Sequence, residues 1–166
     1  MVPDMMTFAK GVGNGLALGG VVARAEVMEA MGANSISTFG GNPLASAGAL
    51  ATIQYMLDND TQQNALEMGS RLAPRLRSAV KASPVVAELR GRGLMLAIET
   101  VHPDSLEPNP GAAVQLMENT RAAGLLIGKG GLYGNVLRIA PPMTVNAVEV
   151  DEAADILAES IGELHL

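Results

Sequence analysis

A lysine that is followed at once by a run of glycines is the feature of this sequence that most restricts its fold. The apolar segment Met5–Ala9 ends at Lys10, and five glycines follow, at Gly11, Gly13, Gly15, Gly19 and Gly20. Without a Cβ, glycine lets a second backbone or a planar ligand approach closely. We therefore predict short buried strands at Met5–Ala9 and Gly20–Ala23, with Lys10 at the end of the first strand beside mostly bare backbone.

The residues alone allow two interpretations of Lys10. A lysine amine condenses with an aldehyde as a Schiff base when its surroundings lower the pKa of the ammonium from about 10.4. The alternative is an ordinary solvated lysine before a glycine-rich turn. This stretch by itself favours the second interpretation.

A second glycine-containing loop, SISTFGGNP at residues 35–43, has features of an anion-binding turn. Thr38 offers a hydroxyl, and Gly40 and Gly41 offer accessible amides. Pro43 is a typical first residue of a helix, and helix N-termini attract phosphate. An ordinary capped loop explains the same residues, so both interpretations stay open at this point.

The remainder of the chain predicts an α/β protein in which helices cover a small sheet. The predicted strands are Val86–Leu89, Leu94–Thr100, Leu125–Ile127 and Val136–Ile139. The predicted helices begin near Arg24, Pro43, Asp60, Asn109 and Asn146. Asp60 with Gln63, and Asn146 with Glu149, have the spacing of helix capping boxes.

Composition and charge exclude several classes of protein. The 166 residues are 48% hydrophobic and carry a net charge of −6, whereas nucleic acids and anionic membranes require a basic surface. The chain has no cysteine, and its histidines, His102 and His165, lie outside any ligand spacing, so we expect no disulfide and no metal site. No segment has the character of a secretion signal or a membrane span. We expect a cytoplasmic protein with neither nucleic-acid nor membrane partners.

Four segments, in a fixed order along the chain, carry a specific signature. They are PDMMTFAKGVGNG, STFGGNP, LRGRGLMLAIE and GLLIGKGGLYGNVLRIAPPM. Together they closely resemble the class III pyridoxal-phosphate aminotransferases, and the last is most similar to the branch with alanine–glyoxylate and β-alanine–pyruvate aminotransferases. The resemblance covers essentially the whole chain and implies the C-terminal part of a fold-type I aminotransferase. Residues 1–57 then correspond to the end of the large cofactor-binding domain with the start of the interdomain helix, and residues 58–166 to the small α/β domain.

The resemblance implies roles for four residues. Lys10 matches the catalytic lysine that forms a Schiff base with pyridoxal 5′-phosphate and later moves a proton between the substrate and the cofactor. Thr38 matches the residue whose hydroxyl reaches the cofactor phosphate across a dimer interface, and the adjacent Phe39 is expected to contact the cofactor. Arg138 matches an arginine that pairs with the substrate carboxylate, a group that the planar guanidinium binds through two hydrogen bonds.

The implied activity is transfer of an amino group from an amino acid to a 2-oxo acid by a ping-pong route. Family subunits are longer than this chain. The aspartate that pairs with the pyridinium nitrogen, the aromatic that stacks on the ring and the phosphate-binding turn would lie upstream. We therefore expect a truncated aminotransferase, with little or no turnover by itself, that forms a homodimer or a larger assembly. Two other interpretations stay open. The chain is one half of a split enzyme completed by a missing N-terminal polypeptide, or a non-catalytic fragment that acts only through association.

Overall fold

The computed structural model describes residues 2–164, which divide into two compact units between Asp60 and Thr61. The first unit contains strands β1 (Met5–Ala9) and β2 (Gly19–Ala23) and helices α1 (Ala25–Glu29) and α2 (Pro43–Asp58). β1 and β2 form an antiparallel hairpin in which Ala9 lies opposite Gly19, and Lys10–Gly13 form a 3₁₀ turn directly after β1. The glycine-rich stretch is therefore the connection of a β-hairpin.

The two hairpin strands are exposed, so the prediction that they are buried is wrong. Every residue of β1 is exposed, and in β2 only Gly20 and Ala23 are partly covered. The ring of Phe8 lies over Gly20, where an added Cβ would stand 2.4 Å from its Cζ atom. Apolar strand sequence predicts burial, but burial requires a second layer, which a two-stranded hairpin cannot supply by itself.

The second unit is an antiparallel sheet of four strands with three helices, in the strand order β3-β4-β6-β5. The strands are β3 (Val86–Arg92), β4 (Met95–Thr100), β5 (Gly128–Gly130) and β6 (Val136–Ile139). The helices are α3 (Thr61–Ala82), α4 (Pro110–Ala122) and α5 (Ala147–Gly162). Leu76 of α3, Ile98 of β4, Leu137 of β6 and Leu157 of α5 are completely buried and form the centre of the core. The predicted α/β class is confirmed. None of the helices within residues 2–164 is long and apolar enough to cross a membrane.

Two local predictions in this unit are wrong. The strand expected at Leu125–Ile127 forms three residues later, as β5, because Gly128–Gly130 is the segment that pairs with β6. Leu125 and Ile127 still pack against the core, but without strand pairing. The Asp60–Gln63 capping box does not form: Asp60 has a φ of +51°, and the Gln63 side chain donates to Glu67 instead.

All the predicted helix starts are confirmed to within one residue, including the one near Asp60. Asn146 and Glu149 form a complete capping box at the start of α5. Asn42 and Asn109 cap helices α2 and α4, each with proline next in the chain. These signals succeed because an N-cap involves only atoms within a few residues of one another.

A cluster of ion pairs joins α3 to α5. Arg71 donates two hydrogen bonds to Asp151, at 2.7 and 2.5 Å, and Arg75 pairs with Asp151 at 2.6 Å and with Asp155 at 2.5 Å. The hydrogen bond from Arg71, together with the positive charges of both arginines, lowers the pKa of Asp151 from 3.8 to about 2. Two exposed arginines of α3 are therefore paired with carboxylates of α5.

We expect Asp151→Asn to weaken the dependence of stability on acid pH. The pKa of Asp151 is lower in the folded state than in the unfolded state. The ion pairs therefore stabilise the fold fully above pH 3.8, and this contribution is lost as the pH falls towards about 2. The pair is partly exposed, so the effect is expected to shrink at high salt. Thermal unfolding followed between about pH 2 and pH 6 measures it. Glu152→Gln, one position along the same helix, is the control and should retain the dependence. Identical acid profiles for Asp151→Asn and the unsubstituted chain would contradict this prediction.

Candidate functional site

Lys10 occupies an unusual backbone conformation at the end of β1. Its φ is +55°, the left-handed region, whereas the preceding Ala9 is fully extended. This conformation costs a residue other than glycine about 1 kcal/mol or more, and such residues cluster at functional sites, where their surroundings hold them. The side chain is exposed. The amine of Lys10 is therefore presented at a sharp reversal of the chain that the surrounding turn must maintain.

Two backbone hydrogen bonds hold the turn after Lys10. The Asn14 N–H donates to the Gly11 carbonyl at 3.1 Å, and the Leu16 N–H donates to the Gly13 carbonyl at 3.0 Å. Asn14 is itself left-handed, with a φ of +44°, and Gly13 is buried. The glycines thus allow a compact turn in which Leu16 returns towards Lys10.

An open cleft of about 590 Å³ lies beside this turn, within the first unit. Its walls come from Ala9 and Lys10, from residues 16–19, and from Ser37 with residues 39–41. Lys10 is the one ionisable side chain among the described residues that line the cleft, and Leu16, Leu18 and Phe39 provide apolar surface. The cleft therefore combines one amine and its positive charge with apolar walls.

The N-terminus of α2 fixes the loop on the far side of the cleft. The Asn42 side chain accepts a hydrogen bond from the Ala45 N–H and donates one to the Phe39 carbonyl, both at 2.9 Å. The Gly40 N–H donates to the Ser37 carbonyl at 3.2 Å, and Gly41 has a φ of +66°. Asn42 thus connects the STFGG loop to the helix that follows it. The sequence predicted the helix start at Pro43 but did not identify the cap at Asn42.

The structure places two of the expected site residues on one cleft. Lys10 and Phe39 line the same cleft, and the Phe39 side chain is 80% exposed. Thr38 belongs to the same turn but does not line the cleft. The additional lining residues Leu16, Leu18 and Ser37 were not identified from the sequence, since they carry no motif.

Arg138 lies in the second unit, on β6. Its side chain is exposed, while Leu137 and Ile139 on either side are buried. It lines a cavity of about 380 Å³ in which Leu125, Pro141 and other residues form mostly apolar walls. The carboxylate Glu149 lies on the same cavity. Arg138 is thus a strand arginine whose charged end is available to a ligand.

Comparison with known proteins gives consistent results. A family model described as Aminotransferase class-III matches residues 1–161. The chain is 36% identical, over 98% of its length, to a 4-aminobutyrate aminotransferase of Mycobacterium leprae, of which it covers 37%. It is 35% identical, over 99% of its length, to the mitochondrial alanine–glyoxylate aminotransferase 2 homolog 2 of Arabidopsis thaliana, of which it covers 35%. The chain spans little more than a third of the length of these curated relatives.

A solved structure extends the similarity to the fold. The chain superposes with a TM-score of 0.89 on a phospholyase from Arthrobacter that was solved in complex with phosphoethanolamine. The two are 33% identical, and the match covers 99% of this chain and 40% of the other.

Proposed function

The chain belongs to the class III aminotransferases, and from this membership we propose that it carries the lysine-bearing part of a site that transfers an amino group from an amino acid to a 2-oxo acid. The proposed cofactor is pyridoxal 5′-phosphate. One observation carries the proposal: the lysine of the family signature, Lys10, has a left-handed backbone and lines an open cleft. A solvated turn lysine requires neither feature.

The residues around the cleft fit this cofactor. The volume of about 590 Å³ lies in the range of small-molecule sites. Apolar surface from Leu16, Leu18 and Phe39 suits an aromatic ring, and the amine of Lys10 suits a ligand with an aldehyde group. Gly40 and Gly41 leave backbone accessible on the opposite wall.

Lys10 performs two tasks in the proposed mechanism. When bound, the cofactor supplies an electron sink that stabilises negative charge at the substrate α-carbon. The amine of Lys10 would hold the cofactor through its aldehyde group, and the same amine, when free, would accept the proton of the substrate α-carbon. Leu16, Leu18 and Phe39 place apolar surface beside this amine.

Thr38 and Arg138 take binding roles in the proposal. For Thr38 we propose that its hydroxyl binds the cofactor phosphate in a second copy of the protein, within a homodimer or larger assembly. The exposed guanidinium of Arg138 binds the substrate carboxylate through two parallel hydrogen bonds.

The substrate class follows from the relatives and is likewise a proposal. One relative is named for 4-aminobutyrate and another for alanine and glyoxylate, so we propose a small carboxylic acid with a primary amine as the donor and a small 2-oxo acid as the acceptor. A split enzyme completed by an N-terminal polypeptide, and a non-catalytic fragment, stay alternatives. The cytoplasmic location expected from the sequence stays a prediction.

Reduction with borohydride after incubation with pyridoxal 5′-phosphate tests the proposal. The chain contains three lysines, Lys10, Lys81 and Lys129, and all three are exposed, so the other two serve as internal controls. We expect mass spectrometry of the peptides to show labelling of Lys10 at least about tenfold above either control, because a formed site raises the effective concentration of the aldehyde. Equal labelling of the three lysines would contradict the proposal. Selective labelling without turnover of 4-aminobutyrate or alanine would favour the split enzyme.

A further inference from the structure

We infer that Gly48, in the middle of α2, is a positioning residue for Lys10. It belongs to a surface of small residues, called here the α2 patch, formed by Ala45, Gly48 and Ala49, against which Leu16 of the lysine turn packs. The inference deepens the proposed function and rests on it, since it names a residue that holds the turn of the proposed catalytic lysine.

Leu16 lies directly against the backbone of α2. A Cβ added to Gly48 would stand 2.3 Å from Leu16 Cδ1 and 3.5 Å from Leu16 Cγ, and the first distance is too short for two carbon atoms that are not bonded. Ala45 and Ala49, one turn apart, are the buried residues of α2, at 4% and 5% exposure. Helical spacing places Gly48 on the same face. The glycine is therefore what allows Leu16 to reach this position.

The position of Leu16 is coupled to that of Lys10. The Leu16 N–H donates to the carbonyl of Gly13, the last residue of the 3₁₀ turn that begins at Lys10. Leu16 and Lys10 also line the same cleft. Because the left-handed backbone of Lys10 is intrinsically unfavourable, its conformation depends on contacts that hold the turn. Packing of Leu16 on the α2 patch is such a contact.

Gly48 has no advantage for the helix itself. Glycine in a helix interior is less stable than alanine, because it loses more conformational freedom on folding. Here the added methyl group would meet only the flexible end of Leu16, which can move away. Stability alone would therefore favour alanine at this position. A glycine at this position is explained if function requires the observed position of Leu16, and with it the backbone conformation of Lys10, at the expense of helix stability.

Two substitutions test the inference on the full chain. In Gly48→Ala and Gly48→Leu we expect selective labelling of Lys10 by pyridoxal 5′-phosphate and borohydride to fall, by about fivefold in the leucine variant, the factor expected when a strained turn loses its main restraint. Lys81 and Lys129 should be labelled as before. Thermal stability of Gly48→Ala should be unchanged or higher, which separates a loss of positioning from a loss of folding.

Hydrogen exchange of the segment from residue 10 to residue 18 provides a readout that needs no cofactor. We expect its amides to exchange about fivefold faster in Gly48→Leu, while peptides of α3 and α5 are unchanged. Ala47→Leu, which adds the same side chain to an exposed position of α2, is the matched control and should behave as the unsubstituted chain.

If the unsubstituted chain shows no selective labelling of Lys10, the proposed function fails, and the exchange rates still decide the role of Gly48. Unchanged exchange rates in Gly48→Leu would overturn the inference. A fall in Lys10 labelling in Ala47→Leu as large as that in Gly48→Leu would also overturn it.

Discussion

Replacement of Lys10 by alanine is expected to abolish covalent labelling by pyridoxal 5′-phosphate at this position. It is also expected to slow amino transfer by the proposed homodimer or larger assembly roughly 10²–10⁴-fold or more. The variant loses the amine that binds the aldehyde and also the base that accepts the α-proton, and no other described lysine lines the cleft. Lys10→Arg separates charge from nucleophilicity, since arginine stays protonated and cannot condense with an aldehyde. We expect it to bind pyridoxal 5′-phosphate reversibly without forming a reducible bond.

Lys81→Ala and Lys129→Ala are the controls for this experiment, because both lysines are exposed and neither lines the cleft. They should retain labelling of Lys10 and the rate of transfer. Lys10→Gly adds a test of the backbone: glycine adopts the left-handed conformation without strain, so this variant should be more stable than Lys10→Ala by about 1 kcal/mol. A rate of amino transfer that is unchanged in Lys10→Ala would refute the role proposed for this lysine.

Gly69→Ala is expected to destabilise the second unit by about 3 kcal/mol, since forcing extra volume into a packed contact strains both partners. Gly69 is a buried residue of α3, and a Cβ at this position would stand 2.2 Å from the carbonyl carbon and oxygen of Gly93. Gly93 lies between β3 and β4 with a φ of +55°. The obstructing atoms are backbone atoms of a tight turn, which cannot rotate away as a flexible side chain does. The helix and the turn must therefore separate.

Urea unfolding of the variant, with Gly162→Ala as the matched control, measures this effect. Gly162 is the last residue of α5, it is exposed, and nothing lies within 4 Å of its added Cβ. Alanine at this position should leave stability unchanged or raise it by up to about 1 kcal/mol. Similar midpoints for the two variants would contradict the close approach of α3 to the β3–β4 turn.

Lys10 and Gly48 illustrate two kinds of information in this chain. The motif around Lys10 was recognisable from the sequence, and so were the loop containing Phe39, the helix start at Pro43 and the N-cap at Asn146. Each of these depends on residues that are neighbours along the chain. Gly48 carried no signal beyond a run of small residues, because its partner, Leu16, lies 32 positions earlier in the sequence. A glycine shows that something approaches closely, but not what approaches.

The sequence by itself determined the α/β class, the helix starts and the family, since these follow from local spacing and from a family signature. The tertiary structure alone decided which strands are covered, where β5 pairs and which residues surround Lys10. It also decided the left-handed backbone of Lys10 and the close approach of Gly69 to Gly93. The physical reason is that burial, strand register and close packing are properties of two surfaces in contact, and the sequence of one surface does not specify which part of the other will meet it.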